Sequence, residues 1–360
     1  MRQIDHIVDS LDVGGAERLV VLLAKHQHRQ GLRVRVHTLY GRGALADGLV
    51  SIGVEVVEHV ARPRALDGLG RVRRALRAER PDAVHCHNIS ATLVGAPAAA
   101  LAGVPVCIAT RHGWARREGA WKAEAKFSIA ARACSRVVAV CEAARRELAA
   151  APFARPDRIV TIVNGAEAPS VTRESRAPAD RCVVTSVARL NWAKDHATLL
   201  RAVAVARRQR PELEVRLVGD GVERARLETL VDSLGIRPAV TFLGERSDIG
   251  DCLSDAHVFV LSSVTEGLPV ALLEALAMGL IPIVSDVGGM PGVVRQAGVG
   301  TVVTPGDVEG FARALVDVAS TRERWPTEAA AARTTFERHY TIARMCADYN
   351  SLIRQCLAQR

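Results

Sequence analysis

Residues 257–292 read HVFVLSSVTEGLPVALLEALAMGLIPIVSDVGGMPG, and this stretch decides the fold. Residues 257–263 and 281–285 are short apolar runs rich in β-branched residues, the composition of strands buried in a parallel sheet. A helix fits between them. Pro269 suits its first position, where a missing N–H costs nothing, and Gly279 suits the left-handed residue that closes its end. The order strand, loop, helix, strand puts Glu266 in the loop at the carboxyl end of the first strand, with Glu274 eight residues on, near the helix start. Open α/β sheets bind ligands at that edge.

A helix N-terminus attracts phosphate, whereas two carboxylates at the same end repel it, so the glutamates need other partners. Sugar hydroxyls suit them, because an ionised carboxylate only accepts hydrogen bonds and can take two from a vicinal diol. A site that is cationic or amide-rich for diphosphate and anionic for hydroxyls describes a nucleotide-sugar pocket. The pair of glutamates inside EGLPVALLEALAMGLIPIVSDVGGMPGVV closely resembles the signature of the retaining GT-B glycosyltransferases of family 4, the group 1 glycosyl transferases. The resemblance implies an α/β protein of two Rossmann-like, doubly wound parallel-sheet domains facing each other across a cleft. It also implies that Glu266 contacts a donor-sugar hydroxyl and Glu274 the ribose hydroxyls, with Gly267, Leu268 and Pro269 in the donor-binding turn.

At 360 residues the chain is long enough for two domains of ordinary size. Hydrophobic content of 49% and charged content of 24% are globular values and argue against long disorder. The eight cysteines form no CxxC pair and read as reduced, buried thiols of a cytosolic protein. Residues 1–170 carry 25 Lys and Arg against 16 Asp and Glu, so the whole net charge of +9 lies there. A basic half can serve an anionic membrane surface or a phosphate-bearing acceptor. Nucleic acid is not expected, because no recognised module accompanies the charge and aromatic residues are only 4%. Asp5, Asp9 and Asp12 interrupt any secretory signal pattern. Residues 89–109 carry no charge over 21 positions, but Gly95, Pro97, Gly103 and Pro105 argue for a buried helix followed by a strand rather than a membrane span.

Taken in order, strands are expected at 4–11, 33–40, 54–60, 83–88, 105–110, 136–141 and 158–163, with helical patterns such as LGRVRRALRAER and WARREGAWKAEAKFSIAARAC between them. That alternation means a parallel doubly wound sheet with the loops after its strands on one edge. The first strand is followed by DVGGAER, which resembles the family's GGAER loop and makes Gly14 and Gly15 donor-diphosphate or acceptor contacts. His85 and His87 in VHCHN share a strand face, and Cys86 points away from them, against a metal pair. The resemblance puts both histidines on the acceptor side and makes His112, in TRHG, a donor-sugar contact. VAVCEAARREL and IVTIVNGAE also match family segments, with Cys141 in place of a serine and Glu167 in place of an aspartate; Asn164 and Gly165 are read as shaping the domain exit.

The domain boundary falls in the polar stretch 167–180, which divides the chain into 1–170 and 171–340; the resemblance implies that the first binds the acceptor and the second the donor, and that 341–360 is a helix crossing back to the first. CVVTSVARL opens the second domain, and the following loop supplies Arg189 and Lys194 from ARLNWAKDH, resembling the family loop whose cations clamp the donor diphosphate. Such cations stabilise the charge that grows on phosphate as the sugar leaves. EVRLVGDG and VTFLGERSDI resemble loops around the nucleotide, which adds Gly219 and Leu243 to the donor site. A C-terminal helix is expected at 307–320, then a helical pair.

The function expected is a retaining glycosyltransferase that moves a hexosyl group from a nucleoside diphosphate sugar to a glycan, lipid-linked or small-molecule acceptor. The catalytic residues would be His112, Arg189, Lys194 and Glu266. No Asp-x-Asp occurs, so no metal and no cofactor is expected, the nucleotide sugar being a co-substrate. The protein is expected in the cytoplasm, with peripheral contact at the inner face of the membrane through the basic domain. A nucleotide-sugar epimerase and a silent nucleotide-sugar binding protein are the alternatives; a Rossmann dehydrogenase is disfavoured because no GxGxxG follows the first strand.

Overall fold

Short apolar strands alternate with helices from one end of the chain to the other, and the parallel sheets they build follow from that alternation. The computed structural model describes residues 1–59, 65–113, 120–170 and 181–359. The chain divides into two units, one of Met1–Ala166 with Ile342–Arg360 and the other of Glu167–Thr341. Part of the polar boundary stretch (171–180), the end of the third expected strand and the start of the helix at 114–134 lie outside the described residues.

The first unit holds β1 (Gln3–Val8), β2 (Arg33–Thr38), β3 (Glu55–Glu58), β4 (Ala83–His87), β5 (Val106–Arg111), β6 (Arg136–Ala139) and β7 (Ile159–Thr161). They form one parallel sheet in the order β3-β2-β1-β4-β5-β6-β7. The order reverses between β1 and β4, so the loops leaving these two strands diverge and open a crevice at their carboxyl ends. The uncharged segment 89–109 is the helix Asn88–Ala102 running into β5, and no helix among the described residues is long and apolar enough to cross a membrane. The terminal helix Ile342–Ala358 belongs to this unit, where Tyr349 meets Thr110 and Asn350 meets Gln27.

The second unit holds β8 (Cys182–Val187), β9 (Leu213–Val218), β10 (Val240–Gly244), β11 (Val258–Leu261), β12 (Ile281–Ser285) and β13 (Thr301–Val303), in the parallel order β10-β9-β8-β11-β12-β13. Here the order reverses between β8 and β11. Those are the strands whose following loops carry Arg189, Lys194 and Glu266. The core beneath them is aliphatic, built of Leu199, Leu200, Leu217, Val258, Ile283 and Leu315 around the fully buried Phe311.

In the first unit the sheet also buries charge. Asp5 of β1 lies in register with Arg35 of β2 and accepts hydrogen bonds from its Nη2 at 2.5 Å and from His37 Nε2 at 2.9 Å. Burial pushes the Asp5 carboxyl up, but the bonds from His37 and Arg35 outweigh it and hold the group down at about 2. Removing one partner of such a pair strands the other charge. Arg35→Met should cost about 3 kcal/mol of stability in urea unfolding, and Asp5→Leu in the same chain should restore most of it. An Arg35→Met protein as stable as the parent would show that the pair is not needed.

Candidate active site

The loop after β8 is folded by its own polar side chains. Asn191 Oδ1 accepts from the Ala193 N–H at 3.1 Å, closing the short turn Trp192–Lys194. Asp195 then adopts a left-handed conformation (φ 43°) and caps the helix His196–Ala206, accepting from Thr198 N at 3.3 Å and Thr198 Oγ1 at 2.6 Å. The loop after β11 is tied to it. Ser262 Oγ shares its proton between the carbonyls of Lys194 (3.1 Å) and Asp195 (2.8 Å), while Val264 N donates to Ala193 O at 2.9 Å.

These bonds bring the Lys194 ammonium onto Glu266 Oε1, which also accepts from Ser263 Oγ at 2.8 Å. Lys194 keeps 22% of its side chain exposed and Glu266 9%, so the pair stands at the edge of the surface. The turn carrying Glu266 is braced from behind: Gly289 N donates to Gly267 O at 2.7 Å, and Gly288 (φ 58°) passes so close that a Cβ there would lie 2.5 Å from Glu266 O. This is the structural content of the GG pair in the signature.

The other expected donor residues lie on the same edge. Leu190, next to Arg189, donates to Asp220 O at 2.9 Å, and Gly219 (φ 128°) lies against this loop, where a Cβ would meet Ala188 O at 2.1 Å. Leu243 is the residue skipped at a bulge, since Phe242 pairs with Leu217 and Gly244 with Val218. Leu268 is buried. Pro269 proves to be the cap residue just before the helix Val270–Ala277 rather than its first residue, because its ψ of 130° is extended. Glu274 sits half-buried on that helix, whose Leu272, Leu273 and Leu276 face the core.

In the first unit, Gly14 caps the helix Gly15–Arg29 in an extended conformation and Gly15 is exposed with open space around it, so the fold itself does not require glycine at Gly15. His85 and His87 share a face of β4, and Cys86 turns to the other side, toward Gly95. Both histidines are buried. His6, in register with His85 on β1, joins them, and the three rings offer nitrogens within 4.8 Å of one another. Two of these nitrogens bond to each other, His6 Nδ1 to His87 Nε2 at 3.0 Å, and His87 Nδ1 meets His112 Nε2 at 2.9 Å. His85 Nε2 lies 2.7 Å from Thr110 Oγ1. The backbone of His112 is held by Asn88, a left-handed residue (φ 66°) whose Oδ1 accepts from His112 N at 3.0 Å.

Sequence reasoning missed His6, Asn88, Ser262, Ser263 and Asp195. A signal existed for His6, which alternates with Ile4 and Val8 on one face of the first strand. The serines directly after an apolar strand gave a weaker one.

Residues 169–333 match the model for glycosyl transferases group 1, and residues 13–168 match that for glycosyltransferase family 4. A putative glycosyltransferase, EpsF of Bacillus subtilis, is 30% identical over 306 residues, 79% of each chain. The chain belongs to the group 1 glycosyltransferases. It is also 28% identical over 264 residues, 68% of each chain, to the UDP-Gal:alpha-D-GlcNAc-diphosphoundecaprenol alpha-1,3-galactosyltransferase of Escherichia coli. Its fold is that of Anabaena Alr3699/HepE, solved in complex with UDP-glucose, with a TM-score of 0.86 at 20% identity over the whole of both chains. This group 1 glycosyltransferase therefore has the GT-B fold of two Rossmann-like units.

Its buried histidines should make it acid-sensitive. Burial pushes His6 and His196 down to about 4 and His112 to about 3, and holds His85 and His87 well below the ordinary value. Their folded pKa values lie below the unfolded value, so the unfolded chain takes up protons first as pH falls, and stability drops from about pH 6.5 downward. Each contributes about 1.4 kcal/mol per pH unit in that window. The thermal midpoint should be level from about pH 8 to 7 and fall steeply below 6.5; a level midpoint down to about pH 5 would contradict the neutral assignment.

Proposed function

We propose that this enzyme transfers a hexosyl group, with retention of configuration, from a uridine diphosphate sugar to a lipid-linked glycan acceptor. The observation that carries the reading is the junction of Lys194 and Glu266 at the switch point of the second sheet. A cation and a carboxylate in contact at the carboxyl ends of β8 and β11 are matched to the two halves of the ligand, diphosphate and sugar hydroxyls. In the free protein each satisfies the other, and the bound donor would take over both roles.

In this proposal Lys194 and Arg189 hold the diphosphate, Glu266 accepts from a sugar hydroxyl and Glu274 from the ribose. As the bond from the anomeric carbon to phosphate oxygen breaks, the charge growing on that oxygen is stabilised by the two cations. The departing phosphate oxygen takes the proton of the acceptor hydroxyl, which attacks from the same face, so configuration is kept and no protein base is needed. His112 is assigned to the donor sugar, and His85 and His87 to the acceptor side, on the family resemblance.

Two relatives support the choice of ligands: the UDP-glucose of Anabaena Alr3699/HepE and the undecaprenyl-linked acceptor in the name of the Escherichia coli relative. The surface of the first unit supports a place at the inner face of the membrane. Its helix Ala120–Ala131 presents Trp121, 62% exposed, beside the exposed Lys122 and Lys126, and an amphipathic ring with flanking cations suits an anionic lipid surface.

Lys194→Ala and Arg189→Ala should each lower kcat by about two to three orders of magnitude in a UDP-hexose transfer assay, as the loss of transition-state charge stabilisation does. Turnover unchanged in both would remove the assignment. Glu274→Ala should weaken donor binding about ten-fold or more by calorimetry, while an unaltered donor affinity would remove its ribose role.

A further inference from the structure

A cascade of hydrogen bonds runs from the surface of the first unit to His112, and its first links set the direction of the rest. Gln30, exposed just past the helix Gly15–Arg29, accepts at Oε1 from Asn350 Nδ2 at 2.9 Å. Asn350 Oδ1 then accepts from Gln27 Nε2 at 3.0 Å. With its amino group so engaged, Gln27 presents its oxygen to His6 Nε2 at 2.8 Å. An amide oxygen only accepts, so His6 carries its proton on Nε2. Buried and neutral, it has a bare Nδ1, which must accept from His87 Nε2–H at 3.0 Å. The same step repeats once more. His87 Nδ1 is bare and accepts from His112 Nε2–H at 2.9 Å, which leaves His112 Nδ1 as a lone pair.

That nitrogen is shielded from solvent and meets no partner among the described residues. Reversing the cascade would place a proton there, and an unpaired buried N–H is more costly and rarer than an under-used acceptor. The arrangement is thus the one of lower cost at the His112 end.

We propose that Gln27 is a positioning residue that fixes, through His6 and His87, the Nε2–H tautomer of His112 and so leaves its Nδ1 as the acceptor at the end of the cascade. The terminal helix acquires a role as well, since its Asn350 orients the Gln27 amide.

Long-range proton–nitrogen spectra of the full chain labelled with 15N-histidine, recorded at neutral pH without donor, read each tautomer directly, with His112→Asn giving the assignment. Nε2–H on His6, His87 and His112 is expected, and a proton on Nδ1 of His112 would overturn the proposal. Gln27→Leu removes the acceptor and should let the His112 tautomers mix, while Gln27→Glu keeps an acceptor and should hold the parent state. An unchanged His112 in Gln27→Leu would overturn the role of Gln27; if that variant does not fold, the parent spectrum still decides. Because the spectra need no donor, absence of UDP-sugar binding would count against the proposed function while leaving the tautomer result standing.

Discussion

The candidate donor site hangs on one hydroxyl. Ser262, the first residue after β11, shares its proton between the carbonyls of Lys194 and Asp195, and so joins the two loops that leave the sheet at its switch point. Without that junction the β8 loop would keep a left-handed Asp195 and an outward lysine with only its own turn bonds and the Val264 N–H on Ala193 O to hold them. With it, Lys194 arrives on Glu266, and Ser263 holds the other side of the same carboxylate oxygen. The charge pair is a product of backbone tethering, and the exposure of Lys194 leaves it open to exchange one anion for another. A surface ion pair of this kind adds little to stability. Its consequence is placement, which is what binding and catalysis require.

Much of this was legible in the sequence because it rests on local rules. Alternation of short apolar runs with helical patterns predicts parallel strands, and each expected strand overlaps one that is found, with boundaries that differ by a few residues. The Glu266-to-Glu274 spacing and the glycine pair at 288–289 are readable for the same reason, since strand, turn and helix fix them within one supersecondary unit. Pro269 differs by one position, a boundary that depends on ψ rather than on residue type. What could not be read is the joining of distant segments. Nothing local to Ser262 tells that its hydroxyl meets a loop 67 residues earlier, and nothing in IDHIV tells that His6 will face His87 across 81 residues.

The two units bury polarity in different ways. The second has an aliphatic core and keeps its charges at the loop edge. The first carries Asp5, Arg35, His37 and a row of histidines within its sheet, each with a partner from another strand or helix. Such a network specifies register, since sliding β1 by one residue would turn Asp5 and His6 away from every partner they have. Burial holds His6, His85 and His87 below the ordinary histidine value, and His6 and His87 each spend one ring nitrogen on the other.

The most direct measurement is a calorimetric titration of the full-length protein with UDP, GDP and ADP and their glucose, galactose and N-acetylglucosamine conjugates, repeated with Lys194→Ala. Saturable binding confined to the uridine series, weakened about ten-fold or more by the substitution, is the predicted result. No binding by any of these nucleotides to protein shown to be folded, or binding that the loss of Lys194 leaves unchanged, would contradict the account.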